Sequence, residues 1–175
     1  REDGALAKVM NEIERRLKEA GIHFTAPKIG KHITFAPPFK ATDIEMHWLT
    51  AGLECAHEFY SSDGTPKMAK GKSLDFFSGD VDPLIIRIAS GKNIRDLAER
   101  FRSKVPEHTE WIYPPASYLV NFHATIAEAK GLRLAIDTHG GTSKLFKGLN
   151  VEQPVQLEPP KVFQKEHGSW RIWRM

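Results

Sequence analysis

Each half of the chain has an amphipathic helix pattern followed by a strand-like segment that contains the triplet His-x-Thr. The two segments are KHITFAPPF at 31–39 and YLVNFHATIA at 118–127. In an extended strand, side chains two residues apart point to the same face. Histidine and threonine therefore lie side by side in each segment. This repeat predicts a fold in which two strands each present one His-Thr pair.

The His-x-Thr triplet is more frequent in this chain than chance explains. The 175 residues include eight histidines and nine threonines, for which roughly 0.4 triplets are expected by chance. Three are present, and those that begin at His32 and His123 lie in apolar alternation. The triplet at His23 is followed by Pro27 and Gly30, which interrupt a strand. We therefore expect His23 in a loop or at an edge, and pair His32 with His123.

Composition is that of one ordinary globular domain. The apolar fraction is 41% and the charged fraction 27%, which excludes a disordered or fibrous chain. No apolar run reaches the ~20 residues that a membrane-spanning helix needs. We therefore expect a soluble protein with residues 1–175 forming a single domain and with no membrane partner.

Charge and cysteine content indicate the compartment more clearly than the ligand. The single cysteine, Cys55, cannot form an internal disulfide, and the first residues lack the pattern of a signal peptide. These features predict a reducing, cytoplasmic location. The net charge of +3 favours anionic partners only weakly, because basic and acidic residues are interspersed along the chain.

Three segments have apolar residues at helical spacing. They are 3–20, 42–59 and 93–104. Asp3, Thr42 and Asn93 are expected to cap these helices, and Glu45 completes a capping box with Thr42. Gly21 is expected just past the end of the first helix.

The remaining segments are predicted as strands, loops and short helical turns. Strands are expected at 73–77 and 83–90, a surface loop at 61–73, helical turns at 132–136 and 143–147, and a closing hairpin that turns at 165–168. Gly71-Lys72-Ser73 in the loop matches the end of a phosphate-binding P-loop, but that motif requires glycine where Pro66 stands. The sequence therefore argues against a P-loop.

The two strand segments resemble the motifs of a known superfamily. HITFAPPF at 32–39 and FHATIA at 122–127 are similar to the paired His-x-Thr motifs of the 2H phosphoesterases, which include the bacterial 2′-5′ RNA ligases and the cyclic nucleotide phosphodiesterases. The resemblance covers most of the chain. It implies an α+β fold of two lobes with pseudo-two-fold symmetry, in which antiparallel sheets with outer helices surround a central cleft.

The residue types themselves suit phosphodiester chemistry. One imidazole takes a proton from an attacking oxygen while the other protonates the departing oxygen, and unperturbed imidazoles titrate near ~6.5. Threonine hydroxyls donate hydrogen bonds to the non-bridging phosphate oxygens. We therefore predict His32 and His123 as catalytic residues, with either able to be the acid, and Thr34 and Thr125 as substrate-binding residues. The scheme requires no metal and no cofactor.

The expected function is that of a metal-independent hydrolase that acts on 2′,3′-cyclic phosphates or 2′-5′ linkages. Its substrate would be an RNA end, an oligonucleotide or a small nucleotide, and the sequence leaves open which one and whether ligation also occurs. No obligatory protein partner is inferred, and a monomer is expected. The main alternative is an RNA- or nucleotide-binding module of the same fold without catalysis.

A second alternative is an unrelated metal-dependent hydrolase that uses other histidines. The candidates are His23, His47, His57 and His139. The chain has no His-x-x-x-His motif and no paired cysteines, which are common in metal sites. The sequence therefore argues against a metal site at His47 and His57, and metal analysis of the purified protein would decide whether this alternative holds.

Overall fold

The computed structural model of the chain describes residues 4–34, 46–78, 81–106, 109–110, 122–167 and 169–172. The fold is mixed α and β, with several helices and a curled antiparallel sheet that forms a half-barrel. The helices are α1 (Ala5–Glu19), α2 (Met46–Ser61), α3 (Lys92–Arg102), α4 (Leu132–Thr138) and α5 (Gly141–Leu145). The strands are β1 (Met68–Phe76), β2 (Leu84–Ile88), β3 (His123–Ala127), β4 (Pro154–Gln156), β5 (Phe163–Glu166) and β6 (Ser169–Ile172).

The main sheet has four strands in the order β3-β2-β1-β4. The second strand, β2, runs antiparallel to both β1 and β3. The separate pair β5-β6 is an antiparallel hairpin, as the sequence predicted. Its turn includes His167 with a positive φ of 47°. The two-lobed, pseudo-two-fold arrangement remains a prediction.

One compact unit, unit 1, comprises Arg1–Ile33, Lys70–Ala89 and His123–Val155. Its first element, α1, confirms the predicted first helix and buries one apolar stripe. That stripe consists of Leu6, Ala7, Met10, Ile13 and Leu17. Gly21 adopts a left-handed φ of 72° just past the helix, a conformation that glycine adopts without steric cost. The expected cap, Asp3, lies outside the described residues, and Gly4 occupies the N-cap position.

The other compact unit, unit 2, comprises Thr34–Ala69, Ser90–Phe122 and Gln156–Met175. Its helices confirm the predicted second and third helices, although the box formed by Thr42 and Glu45 lies outside the described residues. In α3, four of the apolar residues predicted for the inner face are buried, namely Ile94, Leu97, Ala98 and Phe101. The fifth, Val105, is half-buried and lies beyond the end of the helix. The Trp48 ring of α2 contacts the Phe101 ring edge-on, with centroids 6.2 Å apart.

The predicted cap of α3 is wrong by two positions. The helix begins at Lys92, and Gly91 is its N-cap, with an extended ψ of 161°. The Asn93 side chain instead donates a hydrogen bond to the Met68 carbonyl at 3.3 Å. An asparagine near a helix start thus satisfies a strand carbonyl, which sequence spacing alone does not reveal.

The predicted surface loop at 61–73 is only partly correct, because β1 begins at Met68. Residues 67–72 alternate strictly between buried and exposed, which is the period of a strand. The buried positions after Lys67 are Ala69 and Gly71. Such small residues carry little hydrophobic signal, and this explains why the strand was missed.

The two predicted helical turns are confirmed as α4 and α5. The N-cap of α5 is Gly140, with a left-handed φ of 96°. Across the part of the chain that the structure describes, none of the helices is long and apolar enough to cross a bilayer.

Lys67 lies just before β1 and is almost fully buried, with 3% of its surface exposed. Its ammonium group donates to Asp63 Oδ1 at 2.7 Å and lies 5.0 Å from the centroid of the Phe59 ring. The Thr65 backbone N–H and hydroxyl also donate to the same carboxylate oxygen. The hydrogen bond from Lys67, followed by those from Thr65, holds the pKa of Asp63 well below its ordinary value. The Asp63 carboxylate therefore neutralises the charge of the buried Lys67 ammonium group.

Replacing Lys67 with methionine is expected to raise the pKa of Asp63 toward its ordinary value, because the strongest donor to the carboxylate is lost. The native pairing stabilises the fold above the unfolded pKa of Asp, near ~3.9, and is lost as pH falls through the lower folded pKa. A pH titration followed by NMR of the Asp63 carboxyl carbon would measure the change. The control is Lys70→Met, since Lys70 pairs with Glu152. An Asp63 titration that is identical in wild type and Lys67→Met would contradict the assignment.

Candidate functional site

His123 and Thr125 lie on the same face of β3. In the register with β2, the Cα partners of these residues are Arg87 and Ile85. In the pairing of β2 with β1, Arg87 lies opposite Ser73 and Ile85 lies opposite Asp75. Because directly opposed residues share a face, one face of the sheet carries all six side chains. We call it the histidine face; its members are His123, Thr125, Ile85, Arg87, Ser73 and Asp75.

Asp75 and Arg87 form an ion pair on the histidine face. Arg87 Nε donates to Asp75 Oδ2 at 2.6 Å. The exposed fraction of the side chain is 46% for Asp75 and 29% for Arg87. Burial alone would raise the pKa of Asp75. The hydrogen bonds from Arg87 and from the Phe76 N–H, with the charges of Arg87 and Arg133, outweigh burial and leave the pKa lowered. Asp75 is therefore ionised at neutral pH, and both members of the pair are partly exposed to solvent.

Phe77, one residue beyond β1, joins this pair to His123. The His123 ring meets the Phe77 ring nearly at right angles, with centroids 4.6 Å apart. The Arg87 guanidinium carbon lies 5.6 Å from the same ring centroid. His123 is buried, with 7% of its surface exposed. The aromatic ring thus holds an imidazole and a guanidinium as neighbours.

His32 is half-buried in the segment that follows α1. Its Nδ1 lies 2.9 Å from the Gly30 carbonyl oxygen. A carbonyl only accepts hydrogen bonds, so in this contact Nδ1 is the protonated nitrogen. Gly30 has a left-handed φ of 81°, a conformation that glycine adopts without steric cost. Neutral His32 is therefore the Nδ1–H tautomer.

The predicted strand at 31–39 is described only as far as Thr34. Thr34 is half-buried and forms an isolated β-bridge, while 31–33 have no regular strand structure. Residues 35–39 lie outside the described part of the chain. The full extent of this strand therefore stays a prediction.

Three of the four predicted site residues belong to unit 1. These are His32, His123 and Thr125, whereas unit 2 begins at Thr34. Within unit 1, His123 and Thr125 share the histidine face. The joining of the His32 and His123 motifs in one site, and the part played by Thr34, stay predictions.

The third triplet has a different role in the structure. His23 is exposed, and Thr25 forms an isolated antiparallel bridge with Glu128. The Thr25 hydroxyl donates to the Glu128 carbonyl at 2.9 Å. The edge placement expected from Pro27 and Gly30 is therefore confirmed.

The other histidines considered from the sequence are spread over the described residues. His57 Nε2 lies 2.7 Å from the Pro160 carbonyl, and His139 Nδ1 lies 2.9 Å from that of Ala135. His47 is exposed on α2. In the described ranges, no group of three or more His, Cys, Asp or Glu side chains is arranged to hold a metal ion.

Sequence reasoning missed the polar neighbours of His123. Arg87 lies in the buried strand β2, whose other members are Leu84, Ile85, Ile86 and Ile88. A single charged residue within such an apolar strand needs a partner, and this was the available signal. The partner Asp75 follows only from the strand register.

Comparison with known proteins assigns no family to this chain. No protein family model matches it, and no curated protein sequence matches it. Its function is therefore inferred from the chemistry of its own residues.

Proposed function

We propose that this protein is a metal-independent phosphoesterase of the 2H type that acts on 2′,3′-cyclic phosphates or 2′-5′ linkages. The observation that carries the proposal is the position of His123 and Thr125 on one sheet face, directly beside the solvent-accessible cation Arg87. An imidazole, a hydroxyl and a guanidinium together are suited to bind a phosphodiester and to transfer protons. The substrate would be an RNA end, an oligonucleotide or a nucleotide.

In the proposed reaction, the oxygen of water or of a ribose hydroxyl forms a bond to phosphorus. One imidazole accepts the proton of that oxygen. The bond from phosphorus to the departing ribose oxygen breaks, and the other imidazole donates a proton to it. His32 and His123 fill these two roles, which exchange when the reaction runs in reverse.

The contact between His32 and Gly30 bears on this chemistry. With Nδ1–H directed at the carbonyl oxygen, Nε2 is the nitrogen that exchanges a proton with substrate. A backbone partner of this kind fixes both the tautomer and the ring orientation. Thr125, and Thr34 by its place in the sequence motif, would donate hydrogen bonds to non-bridging phosphate oxygens and hold the group in line.

The purified protein should convert 2′,3′-cyclic AMP, or a 2′-5′-linked diadenosine, in buffer that contains excess EDTA. Products would be separated by chromatography and identified by ³¹P NMR. Turnover that disappears in EDTA and returns with a divalent cation would replace this mechanism with a metal-dependent one. Complete absence of product from both substrate classes would contradict the proposal.

A binding module without catalysis is the second candidate, and the burial of His123 favours it. A histidine with only 7% of its surface exposed exchanges protons with a ligand less readily than an exposed histidine. This candidate predicts that 2′-5′-linked diadenosine binds without being cleaved. It also predicts that binding survives replacement of either histidine.

A further inference from the structure

Arg87 is held in a fixed orientation by Asp75 on the histidine face and by Phe77, the residue after β1. Its Nε donates to Asp75 Oδ2 at 2.6 Å, and its guanidinium carbon lies 5.6 Å from the centroid of the Phe77 ring. The Asp75 carboxylate at Nε and the aromatic ring beside the guanidinium restrict the torsion angles of the long Arg87 side chain. The guanidinium is therefore preorganised, so less conformational entropy is lost when it binds an anion.

The orientation of Arg87 matters because of its register with His123. The two residues are Cα partners across β2 and β3, and both rest on Phe77. An anion bound at Arg87 would thus lie beside the imidazole. Arg87 keeps 29% of its side-chain surface exposed, which gives a ligand access from solvent.

The local charge also favours an anion. Asp75 offsets one positive charge, but Arg133 on α4 contributes a second one that lowers the pKa of the Asp75 carboxyl. The Arg133 guanidinium carbon lies 5.7 Å from the centroid of the Phe76 ring. Of the described side chains, Arg87, Arg133 and Asp75 together carry a net charge of +1.

We propose that Arg87 is a phosphate-binding residue of this site and that it makes the site bind phosphomonoesters more tightly than cyclic diesters. This inference rests on the proposed function. A phosphomonoester carries about −1.5 to −2 charges at neutral pH, whereas a cyclic diester carries one. The planar guanidinium matches phosphate oxygens and gains more from the more highly charged ligand. Nucleoside monophosphates, the products of ring opening, are therefore competitive inhibitors.

The test measures binding and inhibition by adenosine 2′-monophosphate, with Arg87→Gln and Arg87→Lys compared with wild type. Calorimetry gives the dissociation constant, and inhibition of 2′,3′-cyclic AMP turnover gives the inhibition constant. The control is Arg95→Gln, which removes one charge from an exposed position on α3. Circular dichroism and urea unfolding check that each variant is folded.

In Arg87→Gln we expect the dissociation constant for the monophosphate to rise by about 10-fold or more, and kcat/KM to fall by about 10²-fold. The dissociation constant and kcat/KM of Arg87→Lys should lie between those of wild type and Arg87→Gln, because lysine keeps the charge but lacks the planar guanidinium. Arg95→Gln should have the same dissociation constant and kcat/KM as wild type. In the wild-type protein, the monophosphate should bind more tightly than a non-hydrolysed cyclic phosphorothioate.

The outcomes separate this inference from the proposed function. Wild-type turnover together with unchanged monophosphate binding in folded Arg87→Gln overturns the role of Arg87 and leaves the phosphoesterase intact. Arg87-dependent binding of the monophosphate with no turnover of any substrate supports the role of Arg87 and overturns catalysis. Equal loss of binding in Arg95→Gln and Arg87→Gln also overturns the inference, because it indicates a general charge effect.

Discussion

Replacing His123 with asparagine is expected to lower kcat/KM for 2′,3′-cyclic AMP by about 10²- to 10⁴-fold, the usual contribution of a general acid or base. Asparagine keeps a polar side chain of similar reach but transfers no proton at neutral pH. His32→Asn should have an effect of the same order. Initial rates at several substrate concentrations, with EDTA present, would measure both.

The matched control is His23→Asn. His23 belongs to the third His-x-Thr triplet, yet it is exposed and its triplet forms an edge bridge through Thr25. This variant should retain wild-type activity. Full activity in folded His32→Asn or His123→Asn would contradict the two-histidine mechanism, and an equal loss in His23→Asn would show that the effect is unspecific.

Burial of His123 requires a stability measurement beside the kinetics. The ring packs on Phe77, so asparagine leaves part of that contact unfilled, at a cost of about 1–3 kcal/mol of unfolding free energy. Urea unfolding of each variant would separate this loss from a catalytic one. If the protein remains folded under assay conditions, a lower rate reports on proton transfer.

The substitution Gly71→Ala is expected to lower the free energy of unfolding by about 3 kcal/mol or more, the range of severe overpacking. A Cβ atom built on Gly71 would lie 1.9 Å from the Val151 carbonyl oxygen and 3.3 Å from Leu6 Cδ1. The Val151 carbonyl oxygen belongs to the backbone, so it cannot move aside by a side-chain rotation. The Gly71 N–H also donates to the Gln153 carbonyl at 3.0 Å, so the two segments cannot separate without losing that bond.

Urea unfolding at constant pH would measure this effect, with Lys72→Ala as the control. Lys72 is the next residue of β1 and is exposed, so its truncation should change the unfolding free energy by less than about 0.5 kcal/mol. A Gly71→Ala variant as stable as wild type would show that 151–153 do not pack on β1 this closely.

Helices were the most predictable part of this chain. The stripe of α1 and the inner face of α3 follow from apolar residues at helical spacing, which is a local property. Caps were less predictable. The Asn93 side chain donates a hydrogen bond to the Met68 carbonyl, because a polar side chain near a helix end bonds to whichever partner the tertiary fold places within reach.

The start of β1 shows where strand prediction failed. Ala69 and Gly71 are buried inside an otherwise polar run, and glycine is required at 71 because Val151 lies against it. A close approach between segments 80 residues apart has no signature in local hydropathy. The sequence therefore favoured a loop where long-range packing selects a strand.

The surroundings of the His-x-Thr motifs were likewise predictable only in part. Strand alternation alone determines that His123 and Thr125 share a face, because the period of two is a property of the extended backbone. The sequence also distinguished His23 from the other two histidines, since Pro27 and Gly30 interrupt its strand. Only the tertiary structure placed Arg87 opposite His123 and bonded it to Asp75. Register depends on how both strands of a pair bury their side chains, so it cannot be read from either strand alone.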